Sequence, residues 1–281
     1  MKNIAGGIEK SYAKHKNHLN SLLHNNVRFD YDWLCNDTYG AWRHKRMYSL
    51  IDPLVKKNDS WITIGDGRYG SDAHYLLEKG ISNLLATDIS GKLLKIAKKD
   101  KYILKFKEIN AESINLEDGS YDYAFCKESF HHFPRPIIAL YEMIRVVRKG
   151  IVLIEPHDTK ALKNNKYANN FETVGNYVYS ISLREIEKIT NAINLPCFAY
   201  KGIDDVYVSG GECMPCNSKS ISILKAKFLL LVMEILYKLK IRDRSVICLI
   251  IFKTNPKKTL LNKLRREGFK FIINRPNPFM K

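Results

Sequence analysis

The sequence predicts an α/β fold in which a mostly parallel sheet carries helices on both faces. From residue 61 to residue 154, short apolar runs of strand length alternate with segments of helical periodicity. Turn residues, among them Gly80 and Gly119, separate the two kinds of segment. Parallel strands need a crossover between them, most often a helix, so this alternation indicates βαβ units.

Apolar runs predict five strands in this part of the chain, at residues 61–64, 83–87, 103–109, 121–126 and 151–154. Helices are predicted between them at 71–79, 92–100 and 137–147. Lys149 and Gly150 are predicted to turn the chain into the fifth strand. Because the carboxyl ends of parallel strands meet at one rim, we expect the polar residues after these strands to lie together.

After residue 155 the alternation is less regular. Helices are predicted at 182–191, 221–240 and 257–267, and strands at 198–208 and 246–252. We expect a helical cap over residues 1–56, a core over 57–160, and a part over 161–281 that completes the sheet and adds a basic helical insertion and a C-terminal helix. Three aromatic residues of the cap are interpreted either as a lid over a substrate or as interior packing: Trp33, Tyr39 and Trp42.

The net charge of +17 is concentrated near the C-terminus. Residues 219–281 hold 16 Lys and Arg against 3 Asp and Glu, whereas residues 1–218 are nearly balanced. Such a surface could face anionic lipid, nucleic acid or an acidic substrate, or it could be a solvated face. Lysines also flank the apolar run inside the predicted helix 221–240, so one hypothesis is peripheral contact with the inner face of an anionic membrane. The alternative is packing of this helix against the sheet.

The six cysteines are scattered, which fits reduced cytoplasmic thiols better than a disulfide framework. Cys213 and Cys216 form one CxxC pair, and without a second pair we predict no metal site. Residues 1–30 are polar, so no secretory signal is predicted. The longest apolar run, 228–237, is shorter than the ~20 residues that span a bilayer. We therefore expect a cytoplasmic protein.

A glycine-rich turn, Gly-Asp-Gly-Arg-Tyr-Gly over residues 65–70, joins the first strand to the first helix. Glycines there allow positive φ and close approach of a ligand, and the helix offers unpaired N–H groups. Asp88 lies 23 residues after Gly65 at the end of the second strand, where a carboxylate can accept both hydroxyls of a ribose. The pattern predicts a Rossmann-like nucleotide site, and both NAD and S-adenosylmethionine present such a ribose.

Residues downstream distinguish these two ligands. Asn110, Ala111 and Glu112 come after the third strand, where an adenine ring would lie, and the Glu112 carboxylate could accept an exocyclic amine. The stretch ITIGDGRYG, then ATDIS, INAES, EDGSYDYAFCKESFHHF and IIALYEMIRVVRKGIVLIEP succeed one another over residues 61–156. In this order and spacing they resemble class I S-adenosylmethionine-dependent methyltransferases of the type 11 group.

The resemblance implies S-adenosylmethionine as cofactor and a position for each motif. Gly65, Gly67 and Gly70 would line the methionine part, Asp88 would hold the ribose and Glu112 the adenine edge, while Lys127 and Glu128 would close over the sulfonium. Many members of this group have an acidic residue where this chain has Thr63. Asp66 is then expected to contact the methionine ammonium instead.

Methyl transfer to a hydroxyl needs a base, and histidine is the usual one near neutral pH. His131 and His132 come after the fourth strand and are the predicted catalytic residues, together with Glu128 as base, cofactor ligand or positioning group. Glu155 and His157 come after the fifth strand and are secondary candidates. The alternative is structural: one ring packs, the other caps a helix, and Glu128 forms a salt bridge.

The residues after the fourth strand indicate the class of acceptor. The run Cys-Lys-Glu-Ser differs from the Asn/Asp-Pro-Pro-aromatic motif of methyltransferases that modify base amino groups. The stretch CKESFHHFPRPIIALYEMIRVV is similar to methyltransferases of bacterial surface-polysaccharide gene clusters. This resemblance implies O-methylation of a small molecule such as a sugar, a phosphorylated sugar or a glycan precursor. An RNA methyltransferase that uses the basic C-terminal region, a non-catalytic nucleotide-binding protein and an NAD oxidoreductase remain open.

Overall fold

The computed structural model describes residues 2–22, 37–159, 177–217 and 219–279. Over these residues, eight strands form one sheet: β1 (Trp61–Ile64), β2 (Leu84–Asp88), β3 (Phe106–Glu108), β4 (Tyr121–Lys127), β5 (Val147–Pro156), β6 (Cys197–Ile203), β7 (Val246–Phe252) and β8 (Lys270–Ile273). Their order across the sheet is β3-β2-β1-β4-β5-β7-β6-β8.

The direction of the strands changes along this sheet. β1 to β5 are mutually parallel, whereas β7 is antiparallel to β5 and β6, and β8 is antiparallel to β6. The predicted mostly parallel sheet is confirmed. All seven residues of β7 are buried, as expected for a strand covered on both faces.

The helices within the described residues are α1 (Lys2–Leu22), α2 (Tyr39–Tyr48), α3 (Ser71–Glu78), α4 (Lys92–Lys99), α5 (Pro136–Val146), α6 (Leu183–Ala192), α7 (Ile221–Lys238) and α8 (Lys258–Arg266). Side chains alternate between the two faces of a strand, so each face has its own core. Trp61 packs in one core with residues of α3, α4 and α8, while Ile62 packs in the other with residues of α5 and α6. The predicted α/β fold with helices on both faces is thus confirmed.

The N-terminal region is helical, as predicted, over its described part, with α1, α2 and a 3₁₀ turn at Ser49–Ile51. Trp33 lies outside the described residues. Tyr39 is fully buried and packs against Ile223 and Ala226 of α7, with Trp42 beside it. The interpretation of Tyr39 as a lid is therefore wrong, because its ring lies in a small core between two helices.

Several predicted boundaries were wrong. β3 is shorter than the predicted strand 103–109, and β6 ends at residue 203 rather than 208. β8 was not predicted, because its run of four residues is short and begins with a lysine; it lies at the edge of the sheet, where Ile273 is 74% exposed. The predicted turn at Lys149-Gly150 lies inside β5, where Gly150 pairs with Phe252.

Gly150 allows β5 and β7 to approach closely. A Cβ atom at this position would lie 2.5 Å from the backbone oxygen of Ile251, which is fixed by the strand pairing. We expect Gly150→Ala to lower the free energy of unfolding by about 2–3 kcal/mol, since backbone rather than a side chain must move. Differential scanning calorimetry measures this loss. The control is Gly7→Ala in α1, where a Cβ meets nothing within 4 Å, and an unchanged Tm for Gly150→Ala would contradict the prediction.

Candidate active site

A cleft of about 510 Å³ opens at the carboxyl ends of β1, β2 and β4. Gly65 follows β1, Asp88 ends β2 and Lys127 ends β4, and all three line the cleft. Its volume lies within the range of ligand sites. The rim predicted at the carboxyl ends of the parallel strands is therefore the place where most of the predicted site residues meet.

Asp88 lies at the centre of one wall. Its carboxylate accepts the backbone N–H of Ser90 at 2.8 Å and that of Gly67. Burial raises the pKa of Asp88 to about 7, although these two backbone hydrogen bonds oppose the rise. The carboxylate is thus oriented by backbone and costly to keep charged, which is typical of a functional group.

The glycines of the turn have different roles. Gly65 has φ +74°, its carbonyl accepts the Ser129 hydroxyl at 2.7 Å, and it lines the cleft. Gly67 also lines the cleft, and a Cβ there would lie 2.6 Å from Asp88 Oδ2. Gly70 corrects the prediction that it lines the methionine part, because it starts α3 with φ +71° and faces Ile103, away from the cleft.

Asp66 is held by the first turn of α3. Its carboxylate accepts the backbone N–H groups of Asp72 at 3.0 Å and Ala73 at 2.9 Å, and the hydroxyl of Thr63 at 2.8 Å. Burial and then the charge of Asp72 raise the pKa of Asp66 well above its ordinary value. Asp66 still lines the cleft, but its main contacts are those of a helix cap.

Asp72 lines the cleft as well and is an acidic residue that the sequence did not single out. It accepts the Tyr48 hydroxyl at 2.7 Å and lies 3.7 Å from Lys127 Nζ. Burial raises its pKa, opposed by Lys127. Asp66 and Asp72 together place two buried carboxyl groups beneath one end of the cleft, which suits a cationic ligand group.

Lys127 is buried among polar partners. Its Nζ lies 2.9 Å from His44 Nδ1 and 3.2 Å from Glu128 Oε2. Burial opposes the charge of Lys127, but Asp72 and Glu128 outweigh it and raise its pKa. Burial and then Lys127 lower the pKa of His44 well below its ordinary value, so His44 accepts this hydrogen bond as a neutral ring.

Glu128 has a backbone φ of +50°, which bulky residues rarely adopt. Burial favours its neutral form, but the positive charges of Lys127 and Arg43 prevail and lower its pKa to about 2. A carboxylate with so low a pKa is a weak base near neutral pH. The prediction of Glu128 as general base is therefore disfavoured, while its contact with Lys127 supports a positioning role.

The opposite end of the cleft is lined by Ile109, Asn110, Ala111 and Glu112. The Glu112 carboxylate accepts the hydroxyl of Tyr12 at 2.7 Å and the backbone N–H of Arg135 at 2.8 Å. Asn110 Oδ1 in turn accepts the N–H of Glu112 at 2.9 Å. Glu112 is thus occupied by protein donors, and an adenine amine would have to share it with them.

His131 lies in the 3₁₀ turn Phe130–His132 and lines the cleft. Its Nδ1 lies 2.6 Å from Oε2 of Glu155, which is fully buried at the end of β5. The other carboxylate oxygen accepts the backbone N–H groups of Ser129 at 3.0 Å and Phe130 at 2.9 Å. Glu155 therefore fixes both the turn and the ring, and a donating Nδ1–H makes Nε2 the basic nitrogen of His131.

The remaining predicted histidines differ in position. His132 lines the cleft, and its ring centre lies 3.9 Å from that of His131. His157 does not line it, which corrects its place among the candidates. Its Nδ1 lies 3.2 Å from the carbonyl of Arg244, and burial lowers its pKa. The backbone N–H of His157 donates to the carbonyl of Ser245 at 2.9 Å, which holds residue 157 beside the start of β7.

Several residues of the cleft come from outside the motif region and were not predicted as site residues: Tyr12, His15, His44, Tyr207 and Glu212. Arg43, in the helical cap, also joins this wall, where it donates to Asp205 at 2.9 Å. A single sequence contains no pattern that indicates that these residues lie close to the glycine-rich turn. The basic residue Arg68 of that loop is exposed at the cleft.

Within the described ranges, no group of three or more His, Cys, Asp or Glu side chains is arranged to hold a metal ion. None of the helices described is both long enough and apolar enough to cross a bilayer.

Gly67→Ala tests the close approach of the glycine loop to Asp88. The added methyl group would displace a carboxylate that two backbone N–H groups hold. We expect the affinity for an adenosine-containing ligand to fall about tenfold or more, the equivalent of ~1.4 kcal/mol. Isothermal titration calorimetry measures the Kd, and the Tm reports whether the variant is folded. A folded variant with the wild-type Kd would show that Asp88 is not part of the ligand site.

The fold and this cleft define the class of the domain. The family model Methyltransf_11, described as a methyltransferase domain, matches residues 62–154. The chain thus contains a methyltransferase domain of the class I fold, a class that uses S-adenosylmethionine.

Particular relatives agree with this class. The chain is 28% identical to the ubiquinone/menaquinone biosynthesis C-methyltransferase UbiE of Agrobacterium fabrum over an alignment of 163 residues, which covers 52% of this chain and 62% of that protein. The chain thus spans less than two thirds of the length of this relative.

Among solved structures, a putative sarcosine dimethylglycine methyltransferase from Galdieria sulphuraria is similar with a TM-score of 0.54 and 15% identity, covering 76% of this chain and 85% of the other. A putative methyltransferase from Bacillus halodurans C-125 gives a TM-score of 0.50 and 17% identity, covering 75% of this chain and all of the other. At these identities the likeness concerns the fold.

Proposed function

We propose that this protein transfers the methyl group of S-adenosylmethionine to a hydroxyl group of a small polar acceptor, such as a sugar or a glycan precursor. One observation carries the proposal: a backbone-oriented carboxylate, Asp88, and a histidine held by a buried carboxylate, His131 with Glu155, face one cleft. The first suits a ribose and the second suits removal of a proton from an acceptor.

The residues of the cleft fit the cofactor along its length. Gly67 leaves space beside Asp88 that a Cβ atom would fill, which suits a ribose against the carboxylate. Asp66 and Asp72 suit the methionine ammonium, and the segment from Ile109 to Glu112 suits the adenine ring. When bound, the cofactor supplies an electrophilic methyl group.

The chain itself supplies a base and alignment. His131 takes the proton of the acceptor hydroxyl at Nε2, while Glu155 holds Nδ1–H and stabilises the ring once it is charged. His132 lies beside it and contacts the acceptor. Lys127 and Glu128 keep the wall of the cleft in place through their mutual contact. Alignment of acceptor and methyl group can supply ~7–11 kcal/mol of the barrier reduction.

Arg68 supports an acceptor with an anionic group. It is exposed on the cleft and forms no hydrogen bond or ion pair with the residues that the structure describes. Its guanidinium matches a phosphate or carboxylate in a bidentate manner. A phosphorylated sugar is therefore favoured over a neutral sugar as the acceptor. Nucleic acid is a less favoured acceptor, since the proposed site is a small cleft.

The test has a binding step and a transfer step. Isothermal titration calorimetry with S-adenosylmethionine, S-adenosylhomocysteine and NADH is expected to give micromolar binding of the first two and none of NADH. Incubation with nucleotide sugars and sugar phosphates, and then mass spectrometry of the products, is expected to show addition of one methyl group.

Other outcomes would replace the proposal. Binding of NADH alone would make the protein an oxidoreductase. Transfer only to a quinol precursor would make it a C-methyltransferase like its relative from Agrobacterium fabrum. Transfer only to RNA, with salt-sensitive retention on RNA, would assign nucleic acid as the substrate. Cofactor binding without transfer to any acceptor in a cell extract would indicate a non-catalytic nucleotide-binding protein.

A further inference from the structure

Helix α7 is apolar on the face that packs against the protein and also on the face that points outward. On the inner face, Ile223 and Ala226 are buried against Tyr39 of α2. On the outer face and just beyond the helix, large apolar side chains are between 49% and 69% exposed: Ile221, Leu224, Phe228, Leu231, Ile235 and Leu239. A surface helix normally presents polar residues to water, so this face is unusual.

The exposed residues form one stripe. Residues 224, 228, 231, 235 and 239 succeed each other at intervals of four, three, four and four, which places them along one side of an α-helix. Their side chains are contiguous rather than scattered over the surface. A continuous apolar stripe of this kind is costly in water and typical of a contact surface.

The charges around the stripe indicate what covers it. Lysines precede it, lie within it and come after it: Lys219, Lys225, Lys238 and Lys240, all exposed. Glu234 is the acidic residue between positions 219 and 240, and its carboxylate is already bound by Arg244 at 2.7 Å and Lys238 at 3.5 Å. A second copy of this chain would bring like charges together, whereas anionic lipid headgroups complement them.

We propose that α7 docks on the surface of an anionic phospholipid bilayer. The stripe enters the boundary between headgroups and acyl chains, and the flanking lysines contact the headgroups. The opposite face stays packed on α2, so the helix lies on the bilayer without crossing it. This arrangement places the protein on the surface of an anionic membrane.

The docking surface lies one helix away from the candidate active site. Tyr39 and Trp42 of α2 pack against α7, while Arg43 and His44 of the same helix line the cleft. This proximity favours an acceptor whose polar head reaches the cleft while its lipid tail remains in the bilayer, an inference that rests on the proposed function. Bilayer binding itself does not depend on methyl transfer, so the two proposals can fail separately.

The experiment is flotation of the full chain with vesicles of equal parts phosphatidylglycerol and phosphatidylcholine, and with phosphatidylcholine alone. We expect binding to the anionic vesicles at about 50 mM NaCl that weakens at least roughly fivefold at about 500 mM. Phe228→Ser/Leu231→Ser is expected to lower the partition coefficient about tenfold or more. Lys225→Glu/Lys238→Glu is expected to lower it about tenfold on anionic vesicles.

The matched control is Leu104→Ser/Ile273→Ser, which changes two exposed apolar residues outside α7 and is expected to bind as the wild type does. The Tm of every variant, measured by differential scanning calorimetry, verifies the fold. Equal binding of the wild type and Phe228→Ser/Leu231→Ser would overturn the proposal. So would a wild-type dimer that this double variant makes monomeric while neither binds vesicles, because the stripe would then join two copies of the chain.

Discussion

Asp88→Asn is expected to weaken the binding of S-adenosylhomocysteine about 100-fold or more. In the proposed site the carboxylate accepts hydrogen bonds from both ribose hydroxyls, and each hydrogen bond to a charged group contributes about 1.5–3 kcal/mol. An asparagine keeps the shape of the side chain but offers a single acceptor oxygen. Isothermal titration calorimetry of both proteins at pH 8 measures the change, and a Kd within threefold of the wild type would exclude Asp88 as the ribose ligand.

The same contact predicts a pH dependence. Burial raises the pKa of Asp88 to about 7, so the carboxyl group is largely protonated below that pH in the unliganded protein. The ligand binds the ionised form, so the affinity of the wild type is expected to fall as the pH drops through 7 and to level off above 8. Binding at pH 6.5 should release protons, which appears as a dependence of the measured enthalpy on the buffer. The affinity of Asp88→Asn should show neither effect.

Stability changes in the opposite direction to binding. The folded pKa of Asp88 lies above the unfolded value near 3.9, so the folded state binds this proton more tightly. Stability is therefore lost as the pH rises from about 4 to about 7 and stays reduced above pH 7. Asp88→Asn removes that cost and should raise the free energy of unfolding by up to about 4 kcal/mol at pH 8 and by less at pH 5. A variant that is more stable yet no longer binds cannot be explained by unfolding.

His131→Ala is expected to lower kcat by about 10²–10⁴-fold, the usual contribution of a general base. Glu155 and the cofactor side of the cleft remain in place, so the Kd for S-adenosylmethionine should stay within about threefold. Single-turnover assays with the acceptor found by mass spectrometry measure the chemical step. His157→Ala is the matched control, because this histidine lies outside the cleft and bonds to a carbonyl of the segment that leads into β7.

Glu155→Gln separates positioning from a structural role. The amide keeps an oxygen for the N–H groups of Ser129 and Phe130, but its nitrogen cannot accept Nδ1–H of His131. We expect kcat to fall about tenfold or more and its pH profile to move, while KM for the acceptor changes little. A drop in Tm with an unchanged pH profile would show that Glu155 only stabilises the 3₁₀ turn.

For the other variant, full activity of His131→Ala would show that His131 is not the base and that alignment alone is the source of catalysis.

The sequence predicted those parts of the site that lie at the carboxyl ends of the parallel strands. The glycine turn, Asp88 and the residues after β3 and β4 lie at strand ends, and parallel strands bring their ends to one rim whatever the loops do. Glu155 was predicted as a secondary candidate at the end of the fifth strand, but its pairing with His131 was not predicted, because it depends on β4 and β5 being adjacent in the sheet.

Contacts between distant segments could not be predicted in this way. The different roles of Asp66 and Asp72 could not be predicted from the sequence. The first turn of α3 decides which carboxylate caps the helix and which faces Lys127. Tyr12 and Tyr207 reach the cleft from segments with no motif at all. The outward face of α7 could not be predicted either. This helix is apolar on both sides, so periodicity alone does not distinguish the packed side from the exposed side.

Helix α1 covers the end of the cleft where we place the adenine ring. Tyr12 donates to Glu112, Lys16 pairs with Glu108, and the Tyr12 hydroxyl also accepts a hydrogen bond from Arg135 at 2.9 Å. The Lys16–Glu108 pair is half-exposed and contributes only about 0–1 kcal/mol, whereas the Glu112 carboxylate that holds Tyr12 is buried. Under the proposed function, we expect the spent cofactor to leave past α1 rather than through the sheet. Because salt weakens the Lys16–Glu108 pair, we expect it to accelerate this exchange.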